Sequence, residues 1–376
     1  MNVFVSAGEA SGDAYASAFV KELTKAANAI PDLALQFSGI GGTRLKSSGA
    51  TVVADSSRWG AISILESLKV VPKVMRGYYR AKRYLRSAPP GLFVPIDFGY
   101  ANIRLARHGK AAGWKVLYFV PPGSWRKDRQ GKDLPAITDA ISTPFSWSAD
   151  LLNASGANAF WFGHPIKQLL REREVGFAPA TSAHIAILPG SRSHEIEQNL
   201  PVLAKAIKEP VEFALAPSLN VDEFRTRWQS LAPGRQDDLF TQGDVYGVLT
   251  RCRAAVVCSG TATLEAALCR CPMVVIYKFP KVSEIEARLV GFKRPKYVSL
   301  PNMLLERDLV PELIQEAATP ESLRQRLDGL LGSKKAQDEQ RGGFDELDTI
   351  LGPADGITST AKLALEMIKA SLLGRG

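Results

Sequence analysis

The sequence predicts an α/β protein: two Rossmann-like domains, each with a parallel sheet, facing an interdomain cleft. Four features predict it. Short apolar runs alternate with stretches of helical periodicity, which implies βαβ units. The alternation begins again near residue 183. Small-residue turns follow several of the apolar runs, at the carboxyl ends of strands where open α/β sheets bind ligands. A length of 376 residues suits two domains.

Taken in order, Asn2–Ser6 reads as a buried strand, Gly8–Asp13 as a turn, and residues 13–27 as a helix. Leu33–Gly39 reads as a second strand, ending in a Gly39–Gly42 turn. Further strands are expected at 51–54, 91–97, 115–120, 137–142 and 158–162. Phe162-Gly163-His164-Pro165 is the candidate linker, so the domains are expected at 1–165 and 166–357. In the second series Ala183–Leu188 is a strand, Pro189–Arg192 a turn, and 194–207 a helix. Strands follow near 211–216, 254–258 and 272–278, with helices near 244–251, 261–269 and 283–291. An amphipathic helix near 358–373 could pack on either domain, including the first.

Apolar residues make up 45% of the chain, enough for two cores, which excludes a disordered or fibrous protein. No apolar run is long enough for a transmembrane helix, and the N-terminus is too short an apolar run for a signal peptide. Four cysteines (Cys252, Cys258, Cys269, Cys271) give neither a disulfide framework nor zinc spacing. They read as reduced structural thiols in the cytosol.

The net charge of +9 is local. Residues 1–165 carry 20 basic and 11 acidic side chains, whereas 166–376 carry 27 of each. Seven of the basic residues lie between Ile64 and Arg86: Lys69, Lys73, Arg76, Arg80, Lys82, Arg83 and Arg86. Ile64, Leu68, Val71, Met75 and Tyr78 recur at helical spacing. The basic residues repeat the same spacing one position out of phase, giving adjacent apolar and basic stripes. Such a helix can lie on an anionic membrane, or it can turn its apolar face to the core and its basic face to water. Pro72 is expected to break or restart it. No nucleic-acid motif accompanies the charge, so no nucleic-acid partner is expected.

Two turns offer backbone N–H groups to an anion: Ser6–Asp13, with Gly8 and Gly12, and Ile187–Ser193, with Gly190, Ser191 and Arg192. Neither is a G-x-G-x-x-G fingerprint or a Walker loop, and each also fits a plain strand–helix turn. Arg192 could pair a diphosphate through two hydrogen bonds. A third turn, Ser259-Gly260-Thr261, presents further donors. Glu265, one turn into the following helix, could accept from ribose hydroxyls or simply favour the helix N-terminus. Asp97 closes the strand that begins at Gly91, placed as a general base or as a turn residue. Glu9 has a similar position after the first strand.

Together these segments resemble the lipid-A-disaccharide synthases, glycosyltransferases of the GT-B architecture. The resemblance rests on Ser6–Asp13, Gly39–Gly42, Phe162–Pro165, Leu188–Arg192, Ser259–Glu265, Pro272–Val275 and Tyr297–Asn302. It implies an inverting, metal-independent transfer from UDP-2,3-diacylglucosamine to 2,3-diacylglucosamine 1-phosphate, at the cytoplasmic membrane surface and without a cofactor. Asp97 matches the family's candidate base, and Arg192 would stabilise the departing diphosphate. Glu265 and Asn302 match positions of the nucleotide site, with Gly190, Ser191, Ser259, Gly260 and Thr261 beside them. Glu9 matches an important acid, and Gly8, Ser11 and Asn102 fall on the acceptor side. Ile64, Leu68, Lys69, Lys73, Met75, Arg76, Arg80 and Arg83 match a region that reaches the anionic inner membrane and the lipid substrate.

The chain also departs from the family. Ile-Asp-Ala-Pro-Asp-Phe-Asn becomes Ile96-Asp97-Phe98-Gly99-Tyr100-Ala101-Asn102, and a Trp-rich segment shortens to Val120–Arg126. Both changes line the expected acceptor side. The rival readings are a GT-B transferase or epimerase acting on another UDP-sugar, and a non-catalytic binder of nucleotide sugars or anionic lipid.

Overall fold

The structure, a computed structural model, describes residues 1–57, 59, 64–123, 133–173, 180–258, 260–278 and 295–373. For 64–70, Tyr100 and Ser193 it describes the backbone alone. The helix expected near 283–291 lies outside the described residues. The chain forms two compact units. The first runs from Met1 to Arg171 and is completed by the chain from Leu351 onward; the second is Glu172–Ile350. The break therefore follows the helix Pro165–Arg171 rather than residue 165.

The first unit holds a seven-stranded parallel sheet. Its strands are β1 (Asn2–Ala7), β2 (Gln36–Gly41), β3 (Thr51–Asp55), β4 (Leu92–Ile96), β5 (Lys115–Phe119), β6 (Ala140–Thr143) and β7 (Ala159–Trp161), in the order β3-β2-β1-β4-β5-β6-β7. Order reverses between β1 and β4, whose register pairs Ala7 with Ile96. Alternation along β1 divides the core. Val3, Val5 and Ala7 pack with α1 (Ala10–Ala27) and the C-terminal helix Gly356–Leu373 on one face. Phe4 joins the opposite cluster with Phe93, Trp114 and Tyr118. The strand expected at 137–142 begins only at Ala140, because Leu134–Ile137 forms a short helix first.

The second unit repeats the plan with six strands: β8 (Ser182–Leu188), β9 (Val211–Leu215), β10 (Leu239–Gln242), β11 (Cys252–Cys258), β12 (Met273–Tyr277) and β13 (Glu312–Ile314). Their order is β10-β9-β8-β11-β12-β13, so the reversal lies between β8 and β11. The sequence pattern did not single out β10 or β13, which are a short edge strand and a three-residue strand. All four cysteines are buried free thiols, and burial pushes Cys252 up to about 12.

Helix α2 (Thr43–Ser47) follows β2, and α3 (Ile64–Ser87) runs through Pro72 without interruption. Pro72 is exposed, so the carbonyl that it leaves without an N–H partner can turn to water. The core face of α3 also differs from the expected stripe. Gly77, Ala81 and Leu85 are buried, with Val74, Tyr78 and Tyr84 packed around them. Val71 (45% exposed) and Met75 (38%) face outward with Tyr79 (57%). The small residues Gly77 and Ala81 set this face because they let the helix approach the sheet closely.

The segment Phe162–Pro165 is not a linker but a weld. The backbone N–H of His164 donates to Leu351 O at 2.7 Å, where the chain returns to the first unit. The His164 ring is buried near Phe145 and Tyr15, and its Nδ1 accepts from the Ile166 N–H at 3.2 Å. Burial lowers the imidazole to about 3. Between that value and the ordinary histidine range the unfolded chain binds a proton that the native chain does not. Stability is therefore lost as pH falls below about 6.5, by roughly 2 kcal/mol at pH 5. His164→Asn keeps an acceptor for Ile166 and should flatten this acid slope in thermal unfolding from pH 7 to 5. An unchanged slope would show that His164 does not carry it.

Candidate active site

Parallel sheets of this order bind ligands beyond the carboxyl ends of the strands that flank the reversal. In the first unit those ends carry Ser6 to Glu9 after β1 and Asp97 after β4. Asp97 and Phe98 both have a positive φ, 48° and 49°, leading into α4 (Gly99–Ala111). Asn102 on α4 holds this unusual turn. Its Nδ2 donates to the carbonyls of Ser6 (2.9 Å), Ile96 (3.1 Å) and Asp97 (3.0 Å), while its Oδ1 accepts from Ser6 Oγ at 2.6 Å. Asn102 is fully buried and both ends of its amide are engaged. Its place is therefore under the site, not on the acceptor side where the sequence put it.

Asp97 itself is partly exposed. Burial, and then the negative charge of Glu9, raise its carboxyl to about 6, against a smaller lowering effect from the Phe98 N–H. The Tyr118 hydroxyl donates to the Asp97 carbonyl at 3.1 Å, and burial holds that phenol well above its ordinary range. Glu9 is exposed at the N-cap of α1, with Ser11 partly exposed in the first turn. Gly8 is buried beneath the Phe98 ring, whose atoms lie 2.0 Å from where a Cβ would stand. Asp13 completes the first motif structurally: its carboxylate accepts from the backbone N–H groups of Gly42, Arg44 and Leu45, capping α2. The glycine turn after β2 is thus tied to α1. Ser124, Trp125 and Arg126 lie outside the described residues.

In the second unit the turns after β8 and β11 are neighbours, since Leu188 pairs with Val257. Gly190 has φ 97°, and a side chain there would meet the Glu195 carboxylate. Glu195, on α8 (Ser193–Ala206), is buried and accepts from the Arg192 guanidinium at 3.0 Å and from its backbone N–H at 3.4 Å. This carboxylate was missed in the sequence. Its signal was present as an acid three residues past the N-cap. Ser191 is exposed at the tip of the turn. Gly260, φ 131°, precedes Thr261 at the start of α11 (Thr261–Leu268), while Ser259 lies outside the described residues. Glu265 is partly exposed and accepts from the Tyr246 hydroxyl at 3.0 Å. Two helix N-termini and an arginine therefore gather at the β8/β11 reversal, an arrangement suited to a diphosphate.

Asn302 does not join them. It is fully buried, accepting from the backbone N–H groups of Leu309 and Val310 and donating to Val310 O and the Glu312 carboxylate. Glu312 also accepts from Val298, Ser299 and the Ser299 hydroxyl. This pair supports the segment before the helix Leu300–Leu305, which reaches α11 through the bond from Leu300 N–H to Thr263 Oγ1. Asn302 has no amide atom left for a nucleotide.

Among the described residues no group of three or more His, Cys, Asp or Glu side chains could hold a metal ion. None of the described helices is long and apolar enough to cross a membrane.

The fold is that of the GT-B class. The putative UDP-N-acetylglucosamine 2-epimerase of Listeria monocytogenes aligns over 95% of this chain and 93% of its own, with a TM-score of 0.58 at 12% identity. The MurG of Acinetobacter baumannii aligns over 97% and 99%, with a TM-score of 0.53 at 14% identity. Within that class the chain belongs to the lipid-A-disaccharide synthetase family, whose model matches residues 3–351. The lipid-A-disaccharide synthase of Nitrosococcus oceani is 30% identical over 99% of this chain and 98% of its own length. That of Geobacter metallireducens is 30% identical over 97% of each.

The assignment of Asn302 to structure is testable. Asn302→Ala leaves Glu312 and two backbone N–H groups short of partners, costing about 3 kcal/mol in urea unfolding. UDP affinity measured on the folded protein should change less than about threefold. A large loss of UDP affinity with normal stability would return Asn302 to the nucleotide site.

Proposed function

We propose that the chain is an inverting glycosyltransferase joining UDP-2,3-diacylglucosamine to 2,3-diacylglucosamine 1-phosphate. The products are the β-1,6-linked disaccharide 1-phosphate and UDP. The observation that carries the residue assignment is the partly exposed Asp97 at the β1/β4 reversal, raised to about 6 by burial and Glu9. A carboxylate with that affinity is ionised at neutral pH and still basic enough to accept a proton. It takes the proton of the acceptor 6-hydroxyl as that oxygen bonds to C1 of the donor sugar. The C1–oxygen bond to UDP breaks on the opposite face, and UDP leaves with the electron pair. Arg192, steadied by Glu195, and the N-termini of α8 and α11 offset the diphosphate charge. Glu265, partly exposed near that turn, accepts from the ribose hydroxyls. No metal or other cofactor enters this reaction.

The acylated substrates place the work at an anionic membrane surface, on its cytoplasmic face. Helix α3 supports this part of the reading. Beside the exposed Val71, Met75 and Tyr79 lie the exposed Lys73, Arg76, Arg80 and Arg83. Apolar side chains beside cations suit an interface better than either stripe alone. The side chains of Ile64, Leu68 and Lys69 lie outside the described residues.

The assay is UDP release with both acylated substrates; no turnover with intact UDP binding would refute the reaction. Asp97→Asn should cost at least about 100-fold in kcat. Wild-type kcat should fall as pH drops through about 6, because protonation removes the base. Glu9→Gln should move that limb to lower pH. Near-normal turnover of Asp97→Asn would remove the base assignment. Separately, the triple change Lys73→Gln, Arg76→Gln, Arg80→Gln should weaken binding to anionic vesicles by roughly 100-fold and make it less salt-sensitive. Unchanged binding would leave those charges as an ordinary solvated face.

A further inference from the structure

Trp59 is a buried side chain of the first unit outside the proposed reaction, and it lies between two close contacts. On one side its ring meets Phe98, with centroids 5.7 Å apart. Phe98 in turn lies flat over Gly8, where a Cβ would stand 2.0 Å from the ring. On the other side the Trp59 six-membered ring lies against Gly77 of α3, where a Cβ would stand 2.4 Å from it. The backbone N–H of Trp59 donates to Ser56 O, and Ser56 Oγ donates to Ala7 O at the end of β1. Both aromatic rings therefore rest on glycines, and neither place admits a methyl group without displacing a ring.

Phe98 follows Asp97 directly, and both hold a positive φ. A phenylalanine in that conformation is strained and keeps it only when its surroundings leave no alternative. Asn102 secures the backbone of the turn. The ring is secured from the side by Trp59 and from below by Gly8.

We propose that Trp59 is a positioning residue for Asp97: wedged against Gly77, it holds Phe98 over Gly8 and so fixes where the Asp97 carboxylate points. The proposal rests on the reading of Asp97 as the base. Besides its own carboxylate, the ionisable groups facing this point are Glu9 from α1 and Tyr118 from β5. Loss of the wedge lets Phe98 swing away and more water reach Asp97.

Trp59→Ala should therefore lower kcat roughly ten- to a hundredfold, with KM for the UDP-sugar unchanged, since a small misplacement of a reacting group costs that much. The acid limb of kcat should move from about 6 toward the ordinary carboxylate range. Trp59→Phe should recover most of both. Gly77→Ala changes no aromatic residue and lies on α3, yet it should push Trp59 and reproduce the same shift in weaker form. If Trp59→Ala does not fold, Gly77→Ala and Trp59→Phe decide. Variants that lose thermal stability while keeping the wild-type acid limb and kcat would overturn the proposal. If Asp97→Asn also keeps turnover, the base reading has failed instead.

Discussion

One carboxamide governs the carboxyl-end edge of the first unit's sheet. Asn102 joins the last carbonyls of β1 and β4 and takes the Ser6 hydroxyl in return. At the point where strand order reverses, the chain leaves β1 and β4 toward opposite faces of the sheet, which opens a gap between the two turns. A buried side chain that satisfies three carbonyls at once closes that gap. It also allows two consecutive residues to hold a positive φ, which costs on the order of 1 kcal/mol or more each. The direction of Asp97 follows from that turn, and so does the placing of Phe98.

The second unit solves the corresponding problem with carboxylates ringed by donors. Glu195 draws in both the backbone and the guanidinium of Arg192, and Glu312 gathers four donors from Val298, Ser299 and Asn302. Asp13 does the same for α2. Each is affordable only because the lone pairs are filled by donors already in place. The polar residues of the motifs thus fall into two kinds. Asp13, Asn102, Glu195, Asn302 and Glu312 shape turns from beneath. Glu9, Asp97, Ser191, Thr261 and Glu265 keep some surface to meet a ligand.

That division explains what the sequence could and could not disclose. The two α/β series were legible because β1, β4, β8 and β11 are runs of apolar residues, and β1, β8 and β11 run into small-residue turns. The carboxyl-end positions of Asp97 and of the Gly190–Arg192 turn followed directly. Asn102 and Asn302 were marked as motif members, but motif spacing does not say whether an amide faces a ligand or three carbonyls. Only burial and partner geometry separate the two. The weld at His164 was invisible because its partner, Leu351, lies 187 positions away in the chain. On α3 the spacing of apolar residues was read correctly, but two interleaved faces share that spacing. The glycine at 77 and the alanine at 81 choose the core face, because packing distance outweighs side-chain hydrophobicity there.

The outcome on α3 bears on how strongly such a helix can hold a lipid surface. Fully burying side chains the size of Val71, Met75 and Tyr79 would contribute about 1.5–3 kcal/mol each. Partial exposure and shallow insertion reduce that to a few kcal/mol in total. Each of Lys73, Arg76, Arg80 and Arg83 adds about 1 kcal/mol near an anionic leaflet. The two contributions are of similar size, and neither suffices alone for lasting attachment. The charge term weakens with salt, whereas the apolar term does not. A surface built this way would favour reversible docking, as the reaction proposed above on acylated substrates requires. The neutral balance of the second half fits the same division of labour. Its nucleotide diphosphate would be met by a few fixed donors at the β8/β11 reversal, where a broad positive field would add little selectivity.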